Sequence, residues 1–363
     1  MQTAEEFQLA ETMPAPRRAR LRGAARWIVA VVFAVVVLFG VTAVVNSYWL
    51  LVMTGVVIYS IVTLGLGLLI GRVGMVSLCQ VVLASLGAWV ALRFDYLDWG
   101  IPFPVLLLIA GVITAAVGTL IGLPALRLSG LYLALITLMA AGALTIWLQN
   151  VQFPNGGGGF SGNSSAGGAA SFLPRPAIAR TDVGYYRYCV VVAALMFLLA
   201  LWHVRGKAGR AWAAIRQSQA TAVAAGVNTV RYRLWAFALA SFMAGVAGCL
   251  LAAAAGGVSV NQFPISSSVS VLAVVLMGGV FNLAGAVVSA LLLRLLPALL
   301  DNWGVAIEWS TVLFGIGVLQ VLLTAPGGIV EQFPKDMGRL GRKIAGLVTG
   351  KRKGQQQEQE ISA

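Results

Sequence analysis

The sequence predicts an all-α polytopic membrane protein with about ten transmembrane helices. Three observations predict it. Of 363 residues, 59% are hydrophobic and only 10% charged, with a mean hydropathy of +0.89, whereas a soluble domain carries about a quarter charged residues. The apolar residues fall in long continuous runs, not in the alternating pattern of membrane strands. The Lys and Arg residues cluster in short segments beside those runs, as the positive-inside rule requires. The net charge of +13 therefore reads as topology and not as a nucleic-acid surface, which would set basic residues among stacking aromatics on a soluble module.

Residues 1–26 are a polar, then basic, cytoplasmic segment with Arg17, Arg18, Arg20, Arg22 and Arg26. The run Trp27–Val45 follows with no clear small-residue cleavage site, so it reads as an uncleaved first span. At about 20 apolar residues per crossing, further spans fall at 48–70, 73–92, 103–123, 131–148, 186–204, 233–255, 269–281, 284–300 and 305–325. The transmembrane domain thus covers 27–325 and the cytoplasmic tail 326–363. The stretch 269–300 is long enough for one tilted helix, but Gly278–Gly285 at its centre holds the glycines and asparagine of a tight turn. Charge decides between the two. With ten spans both termini and 20 of the 25 Lys and Arg residues are cytoplasmic; with nine, the seven basic residues of the tail move outside.

The outer face carries one long loop, 149–185, whose glycines Gly156–Gly159, Gly167 and Gly168 give a flexible link. It is either a plain connector or a docking surface for an external partner. Spans two to five and seven to ten begin on opposite sides, the topology that an inverted repeat would have. The pairs Gly67 and Gly71, Gly118 and Gly122, and Gly245 and Gly248 suit close helix approach.

Polar groups within spans are costly unless they pair or line a wet path. The candidates for a solute path are Tyr59, Ser60, Thr63, Ser77, Gln80 and Thr137. Ser77 and Gln80 follow Gly71-Arg72-Val73-Gly74, so this span is expected to be broken near its cytoplasmic end, freeing backbone groups for a polar solute. The competing reading is that serine and threonine bond back to their own helix. Arg294 stands deep in an apolar run, either snorkelling outward or attracting solute.

The first nine spans hold no carboxylate, which disfavours proton or sodium coupling. No G-x-x-x-x-G-K-[ST] phosphate loop is present, so ATP would be handled by another chain. Cys79, Cys189 and Cys249 each lie in an apolar run without metal-ligand spacing, and His203 ends one. Neither an enzyme active site nor a metal or cofactor site is expected. A separate motor would need a handle, and the sizeable internal loop is the arm 205–233. Its segment Gly209-Arg210-Ala211-Trp212-Ala213-Ala214-Ile215-Arg216 suits a helix, with Gly226 a C-cap after Gln217–Ala225. Two short helices with Arg210 and Arg216 facing outward would fit a groove on a partner; equally, a basic amphipathic stretch rests on anionic lipid.

These residues resemble the permease subunits of branched-chain amino-acid ABC importers, specifically the M-type partner, whose close relatives serve urea and short amides. The resemblance covers roughly residues 50–330. It is carried by Gly209–Arg216, Ala224-Ala225-Gly226-Val227-Asn228 and Tyr232-Arg233-Leu234, in the layout of that family's coupling loop. Gly74–Leu78, Leu126–Ala134, Met277-Gly278-Gly279 and Pro326–Ile329 match in order and spacing. The resemblance implies a cobalamin-importer-like permease fold in the bacterial cytoplasmic (inner) membrane. It also implies a heterodimer with a second permease, two ATP-binding subunits holding ATP and Mg, and an extracytoplasmic solute-binding protein. Coupling then falls on Gly209, Arg210, Ala214, Ile215, Arg216 and Gly226. The chain departs from the family pattern where acids usually follow I-R, at Gln217, Ser218, Gln219 and later Val223, where Cys79-Gln80 replaces G-H, at Phe281-Asn282 after the M-G-G turn, and at Asn155 in place of the threonine before the outer-loop glycines. The expected function is import of branched-chain amino acids or a similar small polar solute. The alternative is a facilitative channel or ion-coupled carrier for a neutral solute such as urea.

Overall fold

The computed structural model describes residues 40, 42, 46–97, 99–125, 130–150, 173–256, 262–304, 309, 312, 315, 316, 319, 328–330 and 332. The segment 1–26, most of the first span, the glycine tract of the outer loop, and most of 305–325 and of the tail lie outside them. The chain divides into two units, Met1–Leu50 and Leu51–Ala363. In the first, the rings of Tyr48 and Trp49 meet edge to face at 5.5 Å. The second holds the buried apolar core.

The described elements are helical. In chain order they are α1 (Ser47–Leu68, running on as a π-helical turn Leu69–Val73), α2 (Gln80–Tyr96), α3 (Phe103–Ala125), α4 (Leu131–Asn150), α5 (Asp182–Arg205), α6 (Lys207–Gln217), α7 (Gln219–Ala224), α8 (Thr229–Ala255), α9 (Ile265–Gly278) and α10 (Leu283–Asn302). Six helices among the described residues are long and apolar enough to cross a membrane: Ser47–Val73, Phe103–Pro124, Tyr132–Gln149, Asp182–Arg205, Thr229–Ala255 and Leu283–Asn302. The helices α2 and α9, of 17 and 14 residues, are shorter.

Several boundaries move from their sequence-based positions for local reasons. The helix expected from residue 73 begins only at Gln80, because Gly74 takes φ 79° and ends the preceding turn. The helix expected from residue 233 begins at Thr229, where Asn228 Oδ1 accepts from Arg231 N–H at 3.0 Å. Residues 269–300 are two helices and not one. Gly279, with φ 109°, breaks the run, and Asn282 Oδ1 caps α10 by accepting from Ala284 N–H at 3.2 Å.

At the centre of the second unit, α8 packs along both α2 and α3. Lipid tails are as apolar as leucine, so helices in a bilayer associate through close van der Waals contact and not through exclusion of water. Gly248 faces the Ala84 carbonyl, Gly87 faces the Gly245 backbone, and Gly118 faces the Ser241 hydroxyl, so closely that no Cβ fits at these positions. Around them Leu83, Leu86, Phe237, Met243, Ala247 and Leu250 are buried. Tyr185 on α5 donates its hydroxyl to Leu250 O at 2.6 Å, tying α5 to the same core. The burial contrast places α8 centrally and α10 at the periphery: 83% of the apolar window of α8 is buried, against 22% for α10.

Candidate functional site

The arm is a pair of short helices, as its composition predicts. Ser218 turns the corner between them in an extended conformation and accepts from Thr221 N–H at 3.3 Å, capping α7. At the other end Gly226 takes φ 78°, while Gly226 N–H reaches Val223 O and Val227 N–H reaches Ala222 O, both at 2.9 Å. This is a Schellman closure, which needs a left-handed residue after the helix. A β-branched residue is strained there. Gly226→Val is expected to lower the unfolding temperature of the purified protein, with a cost of about 1–2 kcal/mol.

The arm's inner face is built on Trp212. Its side chain is 0% exposed, and Nε1–H donates to Tyr232 O at 2.8 Å. The ring of His203, at the end of α5, stacks on it with a 6.5 Å centroid separation, and also lies 5.8 Å from the Trp235 ring. One indole thus joins α5, α6 and α8. Ala211 and Ile215 are buried beside it, Ala214 is half-buried, and Gly209 abuts the Val204 carbonyl. Sequence reasoning does not single out Trp212 and His203 as the residues that join the arm to α5 and α8; a tryptophan amid alanines in a basic helix is the signal that could have found the first of them.

The two arginines of the arm differ. Arg210 is exposed. Arg216 is exposed as well, yet the end of its side chain turns back to the body. Its Nη1 donates to Gly71 O at 2.6 Å, and its guanidinium lies 4.4 Å from the centre of the Phe281 ring. The physical reason is the helix end at Gly71, whose carbonyl has no partner within its own turn and attracts a cation. Arg72 donates to Phe281 O at 3.1 Å, so the turn between α9 and α10 is held by two arginines.

Arg216 also packs beside Gly74, with Cγ 3.6 Å from where a Cβ there would sit. From Gly74 the chain runs through Cys79 without helical structure, yet Met75, Ser77, Leu78 and Cys79 are buried. The break expected near Ser77 is therefore present. Non-helical backbone at membrane depth survives where protein surrounds it or where it lines a cavity. Thr137 on α4 supports it, accepting from Leu78 N–H at 3.0 Å and donating to Ala134 O at 2.9 Å. The hydroxyl of Ser77 lies 3.2 Å from Cys79 Sγ. Gln80, the first residue of α2, is 1% exposed, and neither Nε2 nor Oε1 has a partner. Ser77, Gln80 and Thr137 thus come together around one buried strand of irregular backbone.

Thr137→Val would orphan the Leu78 N–H, at a cost of about 1–3 kcal/mol. Thr145, which bonds only back to Ala141 O at 2.9 Å, supplies the comparison. The unfolding temperature is expected to fall for Thr137→Val and to hold for Thr145→Val.

Tyr59 and Thr63 stand apart from that group, on α1 against α10. Thr63 Oγ1 lies 2.8 Å from Ala286 O as well as near Tyr59 O and Ser60 O of its own helix. Ser60 bonds back to Val57 O at 2.6 Å. The Arg294 guanidinium packs over the Tyr59 ring, 5.0 Å from its centre. At the far end of α8 an open groove of about 740 Å³ is lined by Asp95, Phe103, Leu173, Arg175, Arg180 and Ala253, among others. Its Leu173–Pro176 wall is pinned by Leu173 N–H to Gly256 O at 3.1 Å and by the Arg175–Asp182 ion pair at 2.6 Å.

Comparison with known proteins gives one consistent family. The profile described as branched-chain amino acid transport system / permease component matches residues 48–322. The chain is 29% identical over 321 residues to the high-affinity branched-chain amino acid transport system permease protein LivM of Salmonella typhimurium, covering 84% of this chain and 73% of that protein. It is 30% identical over 291 residues to LivM of Escherichia coli, covering 75% of this chain and 68% of that protein. No solved structure gives a significant match.

Proposed function

The chain belongs to the family of permease components of branched-chain amino acid transport systems, and from that premise we propose that it is one permease subunit of an ATP-driven importer. It is a multi-pass membrane protein, and its relatives are transport subunits and not enzymes. In this reading ten spans cross the bacterial cytoplasmic membrane with both termini inside, in a cobalamin-importer-like fold with an inverted repeat. The domains are those of the sequence: 1–26 and 326–363 cytoplasmic, 27–325 the permease. A second permease, two ATP-binding subunits and an extracytoplasmic solute-binding protein complete the assembly. ATP and Mg stay on the partners, and the cargo is a branched-chain amino acid or a similarly small polar solute.

One observation carries the coupling part of this reading. The arm is joined to the break before α2 by direct contacts: Trp212 fixes the arm to α8, Arg216 reaches from it to Gly71 and Gly74, and Gly74 opens the buried segment leading to Gln80. A push on the outer face of α6 and α7, through Arg210 and the exposed residues of α7, would move Arg216. The α1 end, the Phe281 turn and the backbone at Ser77 would move with it. Gly209, Ala214, Ile215 and Gly226 keep the two helices in that attitude. Ser77, Gln80 and Thr137 then border the solute path, while Tyr59 and Thr63 border it on the α10 side.

The reading is tested by reconstituting the full complex in liposomes. ATP-dependent uptake of a branched-chain amino acid that stops when the ATPase subunits are left out is the expected result. Uptake that persists without those subunits would favour the channel or ion-coupled carrier instead.

A further inference from the structure

We propose that the N-terminus of α2, together with the Gln80 carboxamide, is the closed recognition site for the zwitterionic head group of an α-amino acid. The proposal rests on the permease reading and adds to it the part of the solute that is recognised. Four other described helices begin on a side-chain cap: Thr181 for α5, Ser218 for α7, Asn228 for α8 and Asn282 for α10. The 17-residue α2, like α6 and α9, has none, and no acidic residue stands in its first turn. The first helical N–H to find a carbonyl is that of Leu83, on Cys79 O at 2.9 Å. The N–H groups of Gln80, Val81 and Val82 precede it, and they are the orphan donors that every helix start presents. Leu78 N–H is already taken by Thr137.

These donors lie inside the protein, where water does not compensate them. An orphan helix start carries a partial positive charge and favours an anion. The second, independent observation is Gln80 itself, buried to 1% exposure with both amide atoms unpartnered. On an α-helix the Cα–Cβ bond tilts toward the N-terminus, so a side chain at the first position leans toward the unclaimed donors. A carboxamide offers a donor and an acceptor side by side. A zwitterion asks for the complement: its carboxylate accepts from the three N–H groups and Nε2, and its ammonium donates to Oε1. A neutral solute leaves the helix charge unanswered, and a cation is repelled. A core built for stability alone would place an apolar residue at position 80.

Cys79, the residue before Gln80, is a buried free thiol and serves as a reporter. The full complex, carrying Cys189→Ala and Cys249→Ala in this chain, is incubated with N-ethylmaleimide, and labelling of Cys79 is followed by mass spectrometry. Labelling is expected only while ATP turns over, when the site opens. L-leucine is expected to slow it about tenfold, and L-leucinamide, which lacks the carboxylate, is expected to leave it unchanged. Gln80→Leu is expected to remove the protection and most of the leucine uptake while the unfolding temperature holds or rises.

Three results overturn the proposal: a Cys79 that never labels during turnover, equal protection by leucine and leucinamide, or a Gln80→Leu complex that takes up leucine like the wild type. The last would make Gln80 an unpaired core amide. A wild-type complex that takes up no amino acid with ATP present would instead overturn the permease reading, and is seen before any variant is made.

Discussion

Trp212→Ala is expected to uncouple the complex, with ATP hydrolysis by the partner subunits continuing while solute uptake per ATP falls about tenfold or more. The effect follows from where the indole sits. It is fully buried, bonds the backbone at Tyr232 and stacks on His203. Truncating a buried tryptophan to alanine costs about 3–5 kcal/mol. The arm's helices have 11 and 6 residues, lengths at which an isolated helix has little stability of its own. The loss therefore falls first on the docking of the arm, while the backbone-to-backbone glycine crossings of α2, α3 and α8 lie elsewhere and persist. Arg216→Gln is expected to act in the same direction and less strongly, since its bond to Gly71 O is partly exposed and a glutamine still reaches for it. Arg210→Gln is expected to do something different: Arg210 is exposed, so the protein keeps its stability and loses affinity for the ATPase subunits. Unchanged uptake per ATP in Trp212→Ala would remove the arm from the coupling route.

Much of the fold is legible because membrane proteins write their topology in composition. Apolar runs, basic flanks and glycine punctuation put α1, α3, α4, α5, α8 and α10 near their observed places, and the turn at Gly279–Asn282 is readable from its glycines and asparagine. The break before α2 is readable too, since Gly71 and Gly74 precede a serine and a glutamine within an apolar run. Side-chain direction is not. Arg216 looks like any basic residue of an exposed helix, and its turn toward Gly71 depends on a helix end 145 residues away in sequence. The polar candidates look alike in sequence but divide in space, because whether a hydroxyl bonds to its own helix or to a neighbour is decided by the neighbour. Thr63 bonds to Ala286, Thr137 bonds to Leu78, and the Gln80 amide has no hydrogen-bond partner. That last difference is the one on which the recognition proposal rests.

The position of Gln80 in turn depends on how closely α2 and α8 approach, and Gly248→Val puts that dependence to the test. A Cβ at Gly248 would fall on the Ala84 carbonyl, a backbone atom that cannot swing aside as the end of a flexible side chain could. The helices would have to separate at the one crossing where Gly87 and Gly245 also meet backbone to backbone. Overpacking of this kind costs about 1–3 kcal/mol, and in a bilayer no exclusion of water draws the helices back together. Gly248→Val is accordingly expected to reduce the yield of folded, detergent-extractable protein about tenfold. Gly142→Ala on α4 is the control, because its nearest neighbour outside the helix, Ile265 Cδ1, stands at an ordinary 3.7 Å. Equal yields for the two variants would mean that the α2–α8 crossing has slack. An α2 free to shift along α8 could not hold its first turn and Gln80 in one place against a solute, so the same result would count against both the packing argument and the recognition site built on it.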